Sequence, residues 1–133
     1  MAIETKEIPK GTTTAEVSVY LCGSFENIYG MSLKLQYAEQ LVLSNGSVII
    51  NNKLVGSECT LNADNHQYEL SWADGKGLNI SERLEVLTLT FNIDKYTEVG
   101  EYLVKLLEGS YIIDADLSKI TPIIIVGHVI ITK

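Results

Sequence analysis

Apolar and polar residues alternate along most of this chain with a period of two, the signature of half-buried strands. AEVSVYL sets Ala15, Val17, Val19 and Leu21 on one face. MSLKLQY sets Met31, Leu33, Leu35 and Tyr37 against Ser32, Lys34 and Gln36. QYELSWA opposes Tyr68, Leu70 and Trp72 to Glu69, Ser71 and Ala73. LEVLTLTFNI opposes Leu87, Leu89, Phe91 and Ile93 to Val86, Thr88, Thr90 and Asn92, and EYLVKLL aligns Tyr102, Val104 and Leu106. A further strand is predicted around SVII. The run from Ile123 to Ile131 is almost continuously β-branched, as in a strand covered on both faces.

Clusters of Gly, Asn, Asp and Ser punctuate these runs. GSFEN breaks the chain after the first strand, GSECTLNADNHQ reads as a long loop, ADGKGLN as a turn, and residues 95–100 as another. Helical signals are confined to single turns near residues 38–40, 78–83 and 116–120. Short alternating strands with regular turns predict an all-β sandwich. Its core should include Leu33, Leu35, Tyr37, Leu70, Trp72, Leu87, Leu89, Phe91, Tyr102 and Val104.

The 133 residues suit one domain spanning 1–133, with residues 1–13 as a less ordered N-terminal segment. At 46% hydrophobic and 20% charged, the chain can bury a substantial core. The formal net charge of -7 argues against nucleic acid, which needs clustered Lys and Arg. No stretch approaches the ~20 apolar residues of a membrane span, so no membrane insertion is expected. The N-terminus lacks the apolar core of a signal peptide; the chain reads equally as a module of a longer exported protein. Cys22 and Cys59 fit no zinc spacing and are either small buried hydrophobes or one disulfide.

An ordered series of segments resembles the cohesin modules of cellulosome scaffoldins. AEVSVYL precedes YGMSLKLQYAEQLVL, which is similar to the family's strand ending in Tyr-Asp-Pro; Tyr37 matches the tyrosine, and Ala38-Glu39 departs from the Asp-Pro. YELSWADG, LEVLTLTF, GEYLVKL, LLEGSYIIDADL and VGHVIIT follow in the family's order. The resemblance runs from about residue 15 to the end, with no single diagnostic motif. It implies a nine-stranded β-sandwich of jelly-roll topology, without enzymatic activity, that binds a dockerin, a small helical calcium-binding module. The module alone would be monomeric. It would be extracellular or on the bacterial cell surface, as part of a secreted parent protein. It would need no cofactor, with calcium held only by the partner.

In the family the partner lies on one sheet face of four strands. Matched by order these are Gly30–Tyr37, Tyr68–Ala73, Val86–Ile93 and Tyr111–Leu117. The resemblance then implies a partner-binding face of Ser32, Lys34, Gln36, Glu69, Ser71, Ala73, Val86, Thr88, Thr90, Tyr111, Ile113 and Leu117, with Asp74, Leu78 and Ile80 at its edge. Read without the resemblance, Thr88 and Thr90 are ordinary residues of a solvated strand. Leu78 and Ile80 either fold onto the core or stand out toward a partner.

Other chemistry is sparse. Trp72 shares its parity with Tyr68 and Leu70, which makes it a core residue rather than a platform for a sugar ring; a carbohydrate-binding or adhesin sandwich is the alternative reading. His66 and His128 have no ligand partner near them in sequence. Asp114 and Asp116 lack the Gly and Glu spacing of a calcium loop, so no metal is expected. No nucleophile elbow, HExxH or phosphate loop is present, so no catalytic residue is assigned.

Overall fold

This computed structural model describes residues 1–114, 116, 118–120 and 126–133. Two sheets pack face to face as a β-sandwich of jelly-roll topology. Among the described residues there are thirteen strands: β1 (Ala2–Ile3), β2 (Lys6–Pro9), β3 (Thr14–Cys22), β4 (Phe25–Tyr37), β5 (Leu41–Val42), β6 (Val48–Ile50), β7 (Glu58–Asn62), β8 (Gln67–Ile80), β9 (Arg83–Ile93), β10 (Gly100–Leu106), β11 (Tyr111–Ile113), β12 (Lys119–Ile120) and β13 (Gly127–Thr132). The excess over nine comes from pieces of two or three residues. The helical turns fall at Asn45–Ser47 and Ala63–Asn65 instead of the three places expected.

The smaller sheet runs β1–β3–β9–β5, with β6 also on β9. The larger is centred on β4. On one side of β4 lie β8 and then β7. The other side is shared: β11 pairs with Gly30–Ser32 and β10 with Leu35–Tyr37. The 107–110 turn closes the gap between them. Leu107 N–H donates to Lys34 O (2.7 Å), and Lys34 N–H to the hydroxyl of buried Ser110 (3.0 Å). β12 extends the sheet beyond β11; β13 and then β2 extend it beyond β10.

The inner faces carry the alternating apolar residues and nothing else of comparable size. Leu33, Leu35, Leu70, Leu87, Leu89, Phe91 and Val104 are at most 1% exposed, Tyr37 3% and Trp72 4%. Each contributes about 1.5–3 kcal/mol by leaving water. Tyr37 joins the sheets, its ring centroid 5.2 Å from that of Phe91. Tyr102 is only half-buried. It keeps the expected parity, but its hydroxyl reaches out to donate to Glu98 O at 2.6 Å, as a phenol at a core margin requires.

Several segments depart from simple alternation. Residues 1–13 are not loose: β1 joins the smaller sheet, β2 pairs parallel with β13, and Met1, Ile3 and Ile8 are buried. The expected loop over residues 56–67 contains β7. The expected turn ADGKGLN is an irregularity inside β8, where the pairing jumps from Gly30↔Ala73 to Ile28↔Leu78. Gly77 sits there at φ +79°, and a Cβ would meet Asn27 and Tyr29 at 3.3 Å. β4 likewise starts at Phe25, inside the segment expected to break it. β13 alternates buried and half-buried residues; Ile123 to Ile125 lie outside the described residues. Both cysteines are free thiols and exposed, neither bridged nor buried.

Candidate docking face

The outward face of the larger sheet is laid out in rows by strand register. One row is Glu58 (β7), Ser71 (β8), Ser32 (β4) and Tyr111 (β11). The next is Thr60, Glu69 and Lys34, and a third is Asn62, Gln67, Gln36 and Lys105. Beyond the first row stand Ala73, Gly30 and Ile113. Side chains alternate across a sheet, so these residues share the side opposite Leu33, Leu70 and Ile112. Its middle carries the short side chains of Ser32, Ser71 and Ala73, with longer polar ones at Lys34, Glu69, Gln36 and Gln67; the surface is polar at β7 and mixed near β11. Ile113 leans over Gly30: a Cβ at 30 would lie 3.1 Å from Ile113 Cδ1, so a side chain there would press on the Ile113 side chain. The Lys119 ammonium lies 4.5 Å from the Tyr111 ring centroid.

Ser32, Lys34, Gln36, Glu69, Ser71, Ala73, Tyr111 and Ile113 are therefore together as expected from sequence. Five others are not. β9 pairs with β3 in the smaller sheet, so Thr88 and Thr90 face outward on the opposite side of the molecule. Val86 is fully buried. The register shifts from Val19↔Leu87 to Tyr20↔Glu85, making Val86 the extra residue of a β-bulge, and both Val86 and Leu87 turn inward. Ile80 is 5% exposed and Leu78 is packed against the core; the irregularity in β8 turns this stretch inward. Asp74 lies at the edge, its Oδ1 accepting from Lys76 N–H at 3.0 Å. Leu117 lies outside the described residues.

Sequence reading missed Glu58, Thr60 and Asn62. ECTLN does alternate, but Cys59 and Leu61 make a faint apolar side beside three polar neighbours. Cys59 nonetheless faces the core side of the edge. Burial first, and a hydrogen bond with this thiol second, push the Tyr68 phenol above its usual pKa.

Part of the smaller sheet's outer face is tied together by its own side chains. Ser18 and Thr88 hydroxyls donate to Glu85 Oε1 at 2.9 and 2.6 Å, and the Arg83 guanidinium lies 4.6 Å from the Tyr20 centroid. Those hydroxyl bonds, Thr88 first, hold the Glu85 carboxyl below its usual range. Asp114 shapes the β11–β12 connection: its Oδ1 accepts from the N–H groups of Asp116 and Ser118, both at 3.0 Å. Among the described residues no three His, Cys, Asp or Glu side chains converge, and no helix is long and apolar enough to cross a membrane.

No family model and no curated protein matches this sequence. Solved structures do match it. The sixth cohesin of scaffoldin B from Acetivibrio cellulolyticus, in complex with a mutant Cel5 dockerin, superposes at TM-score 0.82 and 19% identity, over 98% of this chain and 96% of that one. An OlpA cohesin in a type I cohesin–dockerin complex from Clostridium thermocellum gives 0.81 at 16%, over 98% and 96%. A non-cellulosomal cohesin from the archaeon Archaeoglobus fulgidus gives 0.76 at 20%, over 99% and 89%. The chain has the cohesin fold; at these identities the likeness is one of fold.

Proposed function

We propose that this chain is a non-catalytic docking module that binds a dockerin on the outward face of its larger sheet, and so joins a dockerin-bearing protein to a cellulosome-type assembly. The observation that carries the reading is the pairing of that fold with that face. The solved structures it resembles include cohesins in complex with dockerins. The β7–β8–β4–β11 face has the small side chains of Ser32, Ser71 and Ala73 at its centre and an apolar patch at Ile113. A helix can lie against such a surface, and a few buried contacts would supply most of the affinity. The buried Trp72 speaks against a sugar platform on this sheet. In this reading the module acts outside the cell, within a secreted or surface-attached parent. It holds no metal itself, and calcium acts through the partner's own loops.

The test is calorimetric titration against a panel of calcium-loaded dockerins, with soluble glucans in parallel. Saturable 1:1 binding to a dockerin, abolished by chelator, is the expected result. Binding of glucan alone would replace this reading with the carbohydrate-binding one.

A further inference from the structure

At the β11 end of this face is an open depression of about 370 Å³. That is at the low end for sites that enclose a small molecule, and this one is not enclosed. Met31 and Trp72 contribute to its lining between β4 and β8. Ile113 and the Tyr111 ring make one wall, Ala73 and Ser71 the other, and Glu58 stands at the rim. The walls are apolar near Ile113 and Ala73 and polar near Ser71 and Glu58.

The charges around it are uneven. Lys119, the neighbouring cation, is engaged over the Tyr111 ring. Tyr111 and Glu58 are three strand spacings apart along one row, roughly 14 Å. Glu58 itself has no ion pair or side-chain hydrogen bond among the described residues.

We infer that this depression receives one long cationic side chain of the partner, arginine or lysine, with its stem along Ile113 and Ala73 and its charged head on the Glu58 carboxylate. The inference deepens the docking reading above and rests on it for the identity of the partner. A purely aliphatic side chain would fill the apolar wall but would cover Glu58 with nothing to replace its water. An acidic one would meet Glu58 with like charge. A long basic side chain satisfies both halves, because its methylenes pack while its head stays at the polar rim. The overall charge of -7 favours a basic partner surface in the same sense.

The experiment has two arms. In the first, the isotopically labelled full chain is titrated with the blocked amino-acid amide N-acetyl-arginine methylamide, and separately with its norleucine and glutamate counterparts, while backbone amide shifts are followed. The arginine probe is expected to shift Gly30, Ser71, Ala73 and Ile113 saturably and more than either counterpart. Glu58→Gln should weaken it by up to about fivefold, the range of an exposed ion pair. Equal shifts from norleucine, or no arginine effect at these four amides, would overturn the inference. In the second arm, any dockerin bound in the panel is titrated against Glu58→Gln and Ala73→Leu, the latter filling the depression. Loss of affinity in both supports the inference, and unchanged affinity in both overturns it while leaving the docking reading intact. An arginine response without any bound dockerin would count against the dockerin reading alone.

Discussion

The Thr88 hydroxyl donates a 2.6 Å hydrogen bond to the Glu85 carboxylate, on the outer face of the smaller sheet and across the sandwich from Ile113. Ser18 donates to the same oxygen at 2.9 Å. Thr88 thus belongs to a solvated polar network, and with Thr90 it lies on the opposite side from the candidate docking face. The same bond joins residues on either side of the Val86 bulge.

That bulge makes two chemically similar exchanges unequal. Val86→Thr places a hydroxyl in the core and is expected to destabilise the fold by about 1–3 kcal/mol. Thr88→Val, at a half-exposed position, is expected to cost about 1 kcal/mol or less. Urea unfolding of both variants beside the parent decides the matter, and equal costs would show the register to be wrong.

Glu85 should titrate below an ordinary glutamate. Its carboxyl is depressed in the folded state, so its contribution is present above the unfolded-state pKa and lost as pH falls through the folded value. Thr88→Ala should therefore be less stable than the parent at neutral pH, with the gap closing in acid below the usual glutamate range. Carboxyl chemical shifts against pH, with unfolding at both ends of the range, check both statements.

The two outer faces should differ in binding. Ile113→Asp, on the larger sheet, is expected to weaken a bound dockerin by on the order of 2 kcal/mol, about thirtyfold. Thr90→Asp, on the smaller sheet, should leave affinity unchanged. Calorimetry on variants with parental melting temperatures gives the comparison, and the reverse order would move the docking surface to the other sheet.

Gly127 holds the N-terminal strands in place. A Cβ there would lie 2.5 Å from Glu4 O and 2.7 Å from Ile3 Cγ2. Gly127→Ala should therefore displace β1 and β2 and cost about 1–3 kcal/mol. Hydrogen exchange should accelerate first at Ile3 and Ile8. Protection equal to that of the parent would mean that the segment contributes little.

Cys22 and Cys59 should both react with a thiol reagent in the native protein, because both are free and exposed. A reducing agent should leave the melting temperature unchanged. Two slow, unfolding-limited thiols would contradict the assigned exposure.

Much of this molecule was legible from residue order. Alternation identified the inner face along the regular stretches of the long strands, because a pleated strand with one wet side must repeat every two residues. Leu33, Leu70, Leu89 and Val104 are buried on that ground alone, and Trp72 is removed from any sugar-binding role. What alternation does not specify is which sheet a strand joins. LEVLTLTF would bury the same leucines in either sheet, so only its pairing with Thr14–Cys22 sends Thr88 and Thr90 to the far side. A bulge is equally silent, since one extra residue at Val86 reverses parity without any glycine or proline to mark it. β7 escaped for a third reason: a solvated edge strand needs little hydrophobicity, so Glu58, Thr60 and Asn62 read as loop until β8 is seen beside them. The sequence determined the faces of the strands; long-range pairing decided which faces lie together, and with them the candidate site.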